Sequence, residues 1–151
     1  MATSVLTVLT IITSGLLAGV LFGVALANVP SLQTMTAQQY VFTQQLLDSR
    51  FEPTMPLLAL VSTVSDVVLA VAVDGLGRSL LFAAAALLVI GVAAVSQFAN
   101  VPLLAAHLRG VDPEHLPADW WDPRESWRRW HLVRTAFAVA AVAATAAATA
   151  V

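Results

Sequence analysis

The densest group of residues that could do chemistry lies near the start of the last apolar run. On a helix, Trp127, Trp130, His131 and Arg134 occupy positions i, i+3, i+4 and i+7, so they are expected to share one face. An imidazole can act as a base near neutral pH, and a guanidinium can hold an anion in bidentate fashion. The pattern predicts His131 and Arg134 as catalytic residues and Trp127 and Trp130 as a substrate-binding aromatic wall. The alternative is an ordinary membrane interface, where tryptophan and arginine are common.

Two charged residues stand inside apolar runs. Arg134 lies about one turn inside the last run, where a charge costs roughly 2.5–3.5 kcal/mol on insertion scales. We therefore expect it to have a functional or ion-paired role. Asp66 lies near the middle of another run, among serine and threonine residues. Such a carboxyl group is either a functional site, here a substrate-binding one, or a neutral group bonded to hydroxyls.

The tetrapeptide Ala-Asn-Val-Pro occurs at Ala27–Pro30 and again at Ala99–Pro102. Each copy follows a long apolar run and precedes a polar stretch and a second apolar run, so we expect two tandem helix–loop–helix repeats. Because proline ends the regular helix there, the amides of Asn28 and Asn100 can cap exposed carbonyls or donate to a ligand oxygen, as in an oxyanion hole. In the second interpretation Asn100 is catalytic and Asn28 binds substrate.

The histidines raise the question of a metal. His107 and His131, together with a carboxylate, would suit a single iron or copper ion, although their spacing is not diagnostic. The cofactor is therefore left open, as none or one such ion. Cysteine is absent from the chain, which excludes disulfides, thiol nucleophiles and cysteine-ligated metals.

The composition places these residues in a membrane protein. Hydrophobic residues make up 59% of the chain and charged residues 11%, against roughly 45–50% and about 25% in soluble proteins. Runs of roughly 20 apolar residues can span a bilayer, and four helices are predicted, near residues 5–27, 54–73, 79–99 and 123–151. We predict an all-α fold, a four-transmembrane-helix bundle that forms one integral membrane domain over residues 1–151. No basic stripe is present, which excludes nucleic acid as a partner.

The two long loops are each expected to contain an interfacial helix. In the first, a capping box formed by Thr36 and Gln39 precedes an amphipathic stretch. The second begins with a helical turn or two that ends at Gly110. Asp122 and Pro123 then supply an N-cap and a proline at the first helical position, so the fourth helix is expected to begin near Pro123.

Arginine counts predict the orientation in the bilayer. The side of the membrane with the two long loops carries six arginines, Arg50, Arg109, Arg124, Arg128, Arg129 and Arg134. The opposite side carries only Arg78. The positive-inside rule then places the long loops in the cytoplasm and both termini outside, in a cytoplasmic membrane of the bacterial type.

Helix one carries a stripe of small residues at Gly15, Gly19 and Gly23. Such a stripe lets another helix approach closely, either within the chain or in a homo-oligomer.

A longer stretch of the chain resembles a known family. One segment contains Asn100-Val101-Pro102-Leu103, Trp120, Trp127, Trp130, His131 and Arg134-Thr135. It resembles the C-terminal half of the anthrone oxygenase family, a group of small four-helix membrane proteins. The family pattern is Asn-Val-Pro-Leu-Asn, a variable loop, two tryptophans, Asn or His, and Arg-Thr. The second asparagine of that pattern is Leu104 here, so any role of its amide is absent.

The resemblance implies a monooxygenase of aromatic polyketide biosynthesis that oxidises an anthrone to an anthraquinone with molecular oxygen. The acidic methylene of an anthrone gives a delocalised anion that can react with oxygen directly. Such a reaction needs a base, a clamp for the enolate oxygen, an aromatic wall and a dry pocket. The interpretation assigns His131 as the base, Arg134 with Asn100 as the clamp, and Trp127 with Trp130 as the wall. The hydrophobic substrate would arrive from the lipid bilayer.

Two other classes of function stay open at this point. The chain could be a non-catalytic membrane protein, such as a small-molecule binder, a transport accessory or an assembly subunit. A transporter would place its site near the bilayer midplane, where Asp66 would dominate. A metal-dependent oxygenase using His107 and His131 is the other alternative.

Overall fold

A computed structural model describes residues 2–48 and 50–151 of the chain, which form helices joined by turns and loops and contain no β-strand. In chain order the helical elements, with two π-helical turns named π1 and π2, are α1 (Ala2–Gly23), π1 (Val24–Asn28), α2 (Val29–Thr34), α3 (Ala37–Asp48), α4 (Thr54–Ala72), α5 (Leu76–Val95), π2 (Ser96–Asn100), α6 (Val101–His107) and α7 (Arg124–Ala150).

Four helical segments are long and apolar enough to cross a membrane. They run over Thr3–Thr34, Thr54–Ala72, Leu76–His107 and Arg124–Ala150. Helix α1 packs against α4 and α7, and α5 packs against the same two helices, so the four form a closed ring. The outer surface carries apolar side chains, as lipid contact requires. The predicted all-α, four-helix integral membrane fold is confirmed.

The helices continue through both Asn-Val-Pro sequences, beyond the ends expected near residues 27 and 99. A proline removes one backbone donor, and its ring clashes with the carbonyl four residues earlier. Here the backbone N–H of Val29 donates to the Val24 oxygen and that of Val101 to the Ser96 oxygen, each five residues back. The wider turn makes room for the proline ring, and the helix goes on to Thr34 or His107. The tandem repeat itself stays a prediction.

Helix α3 packs across the end of the bundle that carries the π turns. Its capping box is present, because Gln39 N donates to Thr36 Oγ1 at 3.3 Å and Thr36 N donates to Gln39 Oε1 at 3.0 Å. Tyr40 and Val41 are fully buried against Leu104 and its neighbours. That α3 lies in the membrane interface stays a prediction, but its contacts make it a cover for this end of the bundle.

The start of α7 is tied to the end of α2 by Arg124. Its Nη1 donates to the carbonyl oxygens of Leu32 and Met35 at 3.3 and 2.7 Å, and its Nε to Asp122 Oδ1 at 3.0 Å. Asp122 Oδ1 also accepts the backbone N–H of Arg124 at 3.0 Å, close to its predicted capping role. Burial pushes the pKa of Asp122 upward, but the hydrogen bonds and positive charge of Arg124 outweigh it and hold that pKa below its ordinary value.

Replacing Arg124 by alanine should destabilise the protein. The change removes charged hydrogen bonds to carbonyls that close α2, and such bonds contribute about 1.5–3 kcal/mol. The matched control is Arg128→Ala, since Arg128 is an exposed cation paired with Glu125 and such pairs contribute about 0–1 kcal/mol. Denaturant unfolding in one detergent should rank the two variants in this order. Equal losses would show that the α2 junction is not held by Arg124.

The glycine stripe of α1 faces away from the other helices. A Cβ atom built on Gly15, Gly19 or Gly23 would meet no atom within 4 Å in the described part of the chain. The stripe therefore does not serve close packing inside one chain, and a role in a homo-oligomer stays a prediction.

Candidate active site

A cavity of about 370 Å³ lies between the helices beneath α3, next to π2. This volume falls in the range of roughly 300–1,000 Å³ that small-molecule sites occupy. Much of its wall is apolar and comes from α1, α4, α5 and α6, with Trp127 from α7. The polar and charged lining residues are Gln44, Asp48, Glu52, Thr63, Ser96, Gln97, Asn100, His131 and Arg134. The sequence-predicted residues Asn100, Trp127, His131 and Arg134 therefore do meet in one cavity.

Arg134 and His131 form one hydrogen-bonded unit. The Nε and Nη2 groups of Arg134 both approach His131 Nδ1, at 3.2 and 2.9 Å, and Nη1 donates to Ser96 Oγ at 3.2 Å. His131 Nε2 lies 3.0 Å from the backbone oxygen of Leu21. A carbonyl oxygen can only accept, so Nε2 carries the proton and Nδ1 offers its lone pair to Arg134. Both imidazole nitrogens are thus engaged, and the guanidinium keeps further N–H donors for a ligand.

Trp127 lies against this unit and forms part of the cavity wall. The rings of Trp127 and His131 stack with centroids 5.1 Å apart and an interplanar angle of 22°. Trp130 does not join them: it is 45% exposed and does not line the cavity. Because Trp130 is the residue next to His131, it points about 100° away from it around the helix axis. The expected two-tryptophan wall is therefore built from Trp127 and aliphatic side chains.

Asn100 places a free amide inside the cavity. The residue is only 1% exposed, and its Oδ1 and Nδ2 have no hydrogen-bond partner among the described residues. An unpaired buried polar group costs about 1–3 kcal/mol, so its presence calls for a partner that the chain itself does not supply. The amide is held there because Asn100 is the last residue of π2, directly before the Val101-Pro102 step. The capping role considered for this asparagine is absent.

Gln44 is a polar residue of the cavity that the sequence analysis missed. Its side chain is 5% exposed, and its Oε1 has no hydrogen-bond partner among the described residues. Gln44 follows Tyr40 by one helical turn on the buried face of α3, so a polar residue on an otherwise apolar face was the available signal. Ser96 was missed as well, one turn before Asn100.

The other predicted residues lie elsewhere. Asn28 is half-buried in π1 and does not line the cavity. Asp66 is fully buried between α1, α4 and α7, where its Oδ1 accepts from Thr10 at 3.0 Å and from Thr145 at 3.4 Å. The surroundings of Asp66 thus match the hydroxyl-bonded interpretation. Asp66 does not line the cavity.

The described residues do not fit an iron or copper site. Among them, no three histidine, aspartate or glutamate side chains come together in a way that could hold a metal ion. His107 does not line the cavity and packs against Trp121, with ring centroids 4.9 Å apart. His131 has both nitrogens in hydrogen bonds. The structure therefore does not bring His107 and His131 together as a ligand set.

Fold and site together define a small integral membrane protein with a cluster of polar groups inside a largely apolar cavity. The sequence profile of the family described as anthrone oxygenase matches residues 44–144, well over half of the chain. The chain therefore belongs to the anthrone oxygenase family. The matched region begins at Gln44 and includes Asn100, His131 and Arg134, while α1 lies outside it. No curated protein and no solved structure matches the chain.

Proposed function

We propose that the protein is a membrane-embedded oxygenase that converts a hydrophobic, anthrone-like aromatic ketone into a quinone with molecular oxygen. The observation that carries the proposal is the unpartnered amide of Asn100, buried in a largely apolar cavity with the guanidinium of Arg134. Two hydrogen-bond donors in a largely apolar site are suited to an oxygen atom on which negative charge develops. A three-ring aromatic ketone fits the size and the apolar walls of the cavity.

The reaction balances without any further reductant. Loss of a methylene proton gives an anion that is delocalised onto the ketone oxygen, and the anion transfers electrons to O2. A bond then forms between the carbon and one oxygen atom, and the other oxygen atom takes up a proton, which gives a hydroperoxide. Loss of water from that hydroperoxide yields the second carbonyl, so one atom of O2 ends in the quinone and the other in water. The protein needs to stabilise the enolate oxygen, accept the proton and keep water away.

We assign the enolate clamp to Arg134 and Asn100, and we assign His131 the task of orienting Arg134. In the structure, His131 Nδ1 accepts from Arg134, so His131 can act as the base only if that contact breaks. The family pattern allows Asn or His at this position, and an amide cannot take a proton at neutral pH but can accept a hydrogen bond. The proton then passes to the carboxylate end of the cavity, where Asp48 and Glu52 line the wall.

Two substitutions of His131 should separate these roles. If His131 orients Arg134, His131→Asn should keep most of the activity because its amide oxygen can replace Nδ1, whereas His131→Leu should lose it. If His131 is the general base, both variants should lose roughly 10²–10⁴-fold in rate. Anthrone consumption over a range of pH provides the measurement. Equal, large losses in both variants, together with a lost pH dependence, would return the base role to His131.

Substitutions of Asp66 distinguish the proposed oxygenase from a transporter. We expect Asp66→Asn to keep the wild-type rate of anthrone consumption, because Asp66 lies outside the cavity and an amide oxygen can still accept from Thr10 and Thr145. Asp66→Ala should lower the free energy of unfolding by about 1–3 kcal/mol, since it leaves these hydroxyls without that partner. Abolished function in Asp66→Asn with normal stability would favour a midplane site and a transport role.

The direct test of the proposed function uses purified protein in lipid vesicles, an anthrone and ¹⁸O2. The proposal predicts an anthraquinone with one ¹⁸O atom and the consumption of one O2 per anthrone. Metal content is measured on the same sample, so that metal-dependent and metal-free oxidation can be distinguished. Tight binding of anthrone without oxidation above the rate in empty vesicles would instead indicate the non-catalytic binder.

We also propose that the end of the bundle with the cavity faces the cytoplasm. Six of the seven arginines lie toward that end, and Arg78 lies at the other. Reporter domains fused to the C-terminus and into the loop before α7 should report opposite sides of the membrane, with the loop inside. The reverse pattern would overturn the orientation.

A further inference from the structure

The wall of the cavity is thin on the side formed by α4 and α5. Several of the lining residues on this side also lie on the outer surface of the bundle. They are Pro56 and Leu60 on α4, Ile90 and Ala93 on α5, and Gln97 in π2. Leu60 is 59% exposed and Ile90 47% exposed, although both contribute to the cavity wall. A side chain can line the cavity and also lie on the outer surface only where the wall is one side chain thick.

These residues form two facing stripes along one seam. Residues 56 and 60 are one helical turn apart on α4. On the other helix, residues 90 and 93 of α5 and residue 97 of π2 follow each other at roughly helical spacing. Nearer the short turn at Gly75 the same two helices pack tightly, since Leu69 and Phe82 are fully buried. The seam is therefore tight at one end and thin-walled at the end that holds Asn100.

The outer side of the seam is expected to face lipid. Leu60 lies six residues inside α4, about 9 Å along the helix axis. Both helices are long and apolar enough to span a membrane. The cavity also extends toward the connection between α3 and α4, where Asp48, Phe51 and Glu52 form the wall. That end presents carboxylates, whereas the seam presents mainly apolar side chains.

We propose that the seam at Leu60, Ile90 and Ala93 is the entrance through which a hydrophobic aromatic ligand passes from the lipid phase to Asn100 and Arg134. A ligand that dissolves in the bilayer reaches the cavity there without crossing water, and the side chains of Leu60 and Ile90 need only change rotamer to let a flat ring pass. The identity of the ligand as the oxidised substrate rests on the proposed function. The position of the entrance rests on the cavity wall alone.

The absence of cysteine from the chain allows a test that does not depend on catalysis. A single cysteine is placed in the cavity by Leu104→Cys, at a lining position that is 6% exposed. The protein is reconstituted in phosphatidylcholine vesicles. Its modification rate is then measured with N-phenylmaleimide, which partitions into lipid, and with a charged, membrane-impermeant methanethiosulfonate. The seam predicts fast reaction with the first reagent and slow reaction with the second.

Bulky substitutions then locate the route. Adding Leu60→Trp or Ala93→Trp to the Leu104→Cys chain should slow modification by N-phenylmaleimide about ten-fold or more, because the wall thickens at the entrance. The matched controls are Val64→Trp and Leu87→Trp, on the exposed surfaces of the same helices but outside the cavity lining. They should leave the rate unchanged. Two independent seam variants are used so that one that fails to fold, as judged by thermal unfolding, does not decide the result.

The results distinguish the entrance from the enzyme. If Glu52→Trp slows N-phenylmaleimide and the seam variants do not, the ligand enters from the acidic end and the proposed entrance is wrong. If the seam variants slow the modification but wild-type protein oxidises no anthrone, the entrance stands and the proposed function fails. If anthrone is oxidised and Ala93→Trp changes neither the oxidation rate nor the modification rate, the entrance fails and the function stands.

Discussion

Replacing Arg134 by glutamine is expected to reduce the rate of anthrone consumption by about 10²–10³-fold, which is the usual effect of removing one donor from an oxyanion site. The guanidinium lies in the cavity wall, and its contacts with His131 and Ser96 leave further N–H groups available. Glutamine keeps a polar group at this position but loses the positive charge and the fork of donors. The loss should appear in the maximal rate, because the clamp acts on charge that develops during the reaction.

The control for Arg134→Gln is Arg129→Gln. Arg129 is on the same helix, but its side chain is 74% exposed and pairs with Glu125. This variant should oxidise anthrone at the wild-type rate. Arg134→Lys should recover little activity, since an ammonium group cannot span His131 and Ser96 as the planar guanidinium does. Wild-type rates in both Arg134 variants, measured in the same vesicles, would remove Arg134 from the proposed mechanism.

The membrane fold could be predicted from sequence because its cause is local. A run of about 20 apolar residues spans a bilayer whatever surrounds it, and four such runs became the four spans of the bundle. The capping box at Thr36 was also readable, since it depends on side chains three residues apart. The continuation of the helices past Pro30 and Pro102 could not be predicted from the sequence. The expectation that proline ends a helix applies to a regular α-helix. The π turns relieve the clash with the proline ring by a wider backbone turn, which cannot be predicted from the residue types.

The site was partly predictable for the same reason. Helical spacing placed Trp127, His131 and Arg134 on one face, and they line one cavity. Spacing alone could not place Trp130, whose position at the edge of that face is decided by how α7 is rotated against its neighbours. Nor could it supply the Leu21 carbonyl, which is 110 residues away from His131 in sequence and fixes which nitrogen carries the proton. Long-range contacts of this kind determine the chemical role of a residue, whereas the sequence alone identifies that residue only as a candidate.

Asn100→Leu should have opposite effects on activity and on stability. Leucine has the same number and branching of side-chain heavy atoms, so the cavity wall stays filled, but the donor amide is gone and the rate of anthrone consumption should fall about 10²–10³-fold. The same change removes two buried polar atoms that have no partner among the described residues. Removing that penalty should raise the free energy of unfolding by about 1–3 kcal/mol. A protein that becomes more stable as it loses activity identifies a residue retained for its function.

The comparison with Asn28→Leu makes this prediction specific to the cavity. Asn28 precedes Val29-Pro30 just as Asn100 precedes Val101-Pro102, but it lies outside the cavity lining. Its replacement should leave the oxidation rate unchanged. If the asparagine instead served to cap helical carbonyls, Asn100→Leu would lose stability, because the capped groups would be left unpaired. Thermal unfolding and oxidation rates of the two variants in one lipid therefore decide whether the amide of Asn100 serves the helix or the ligand.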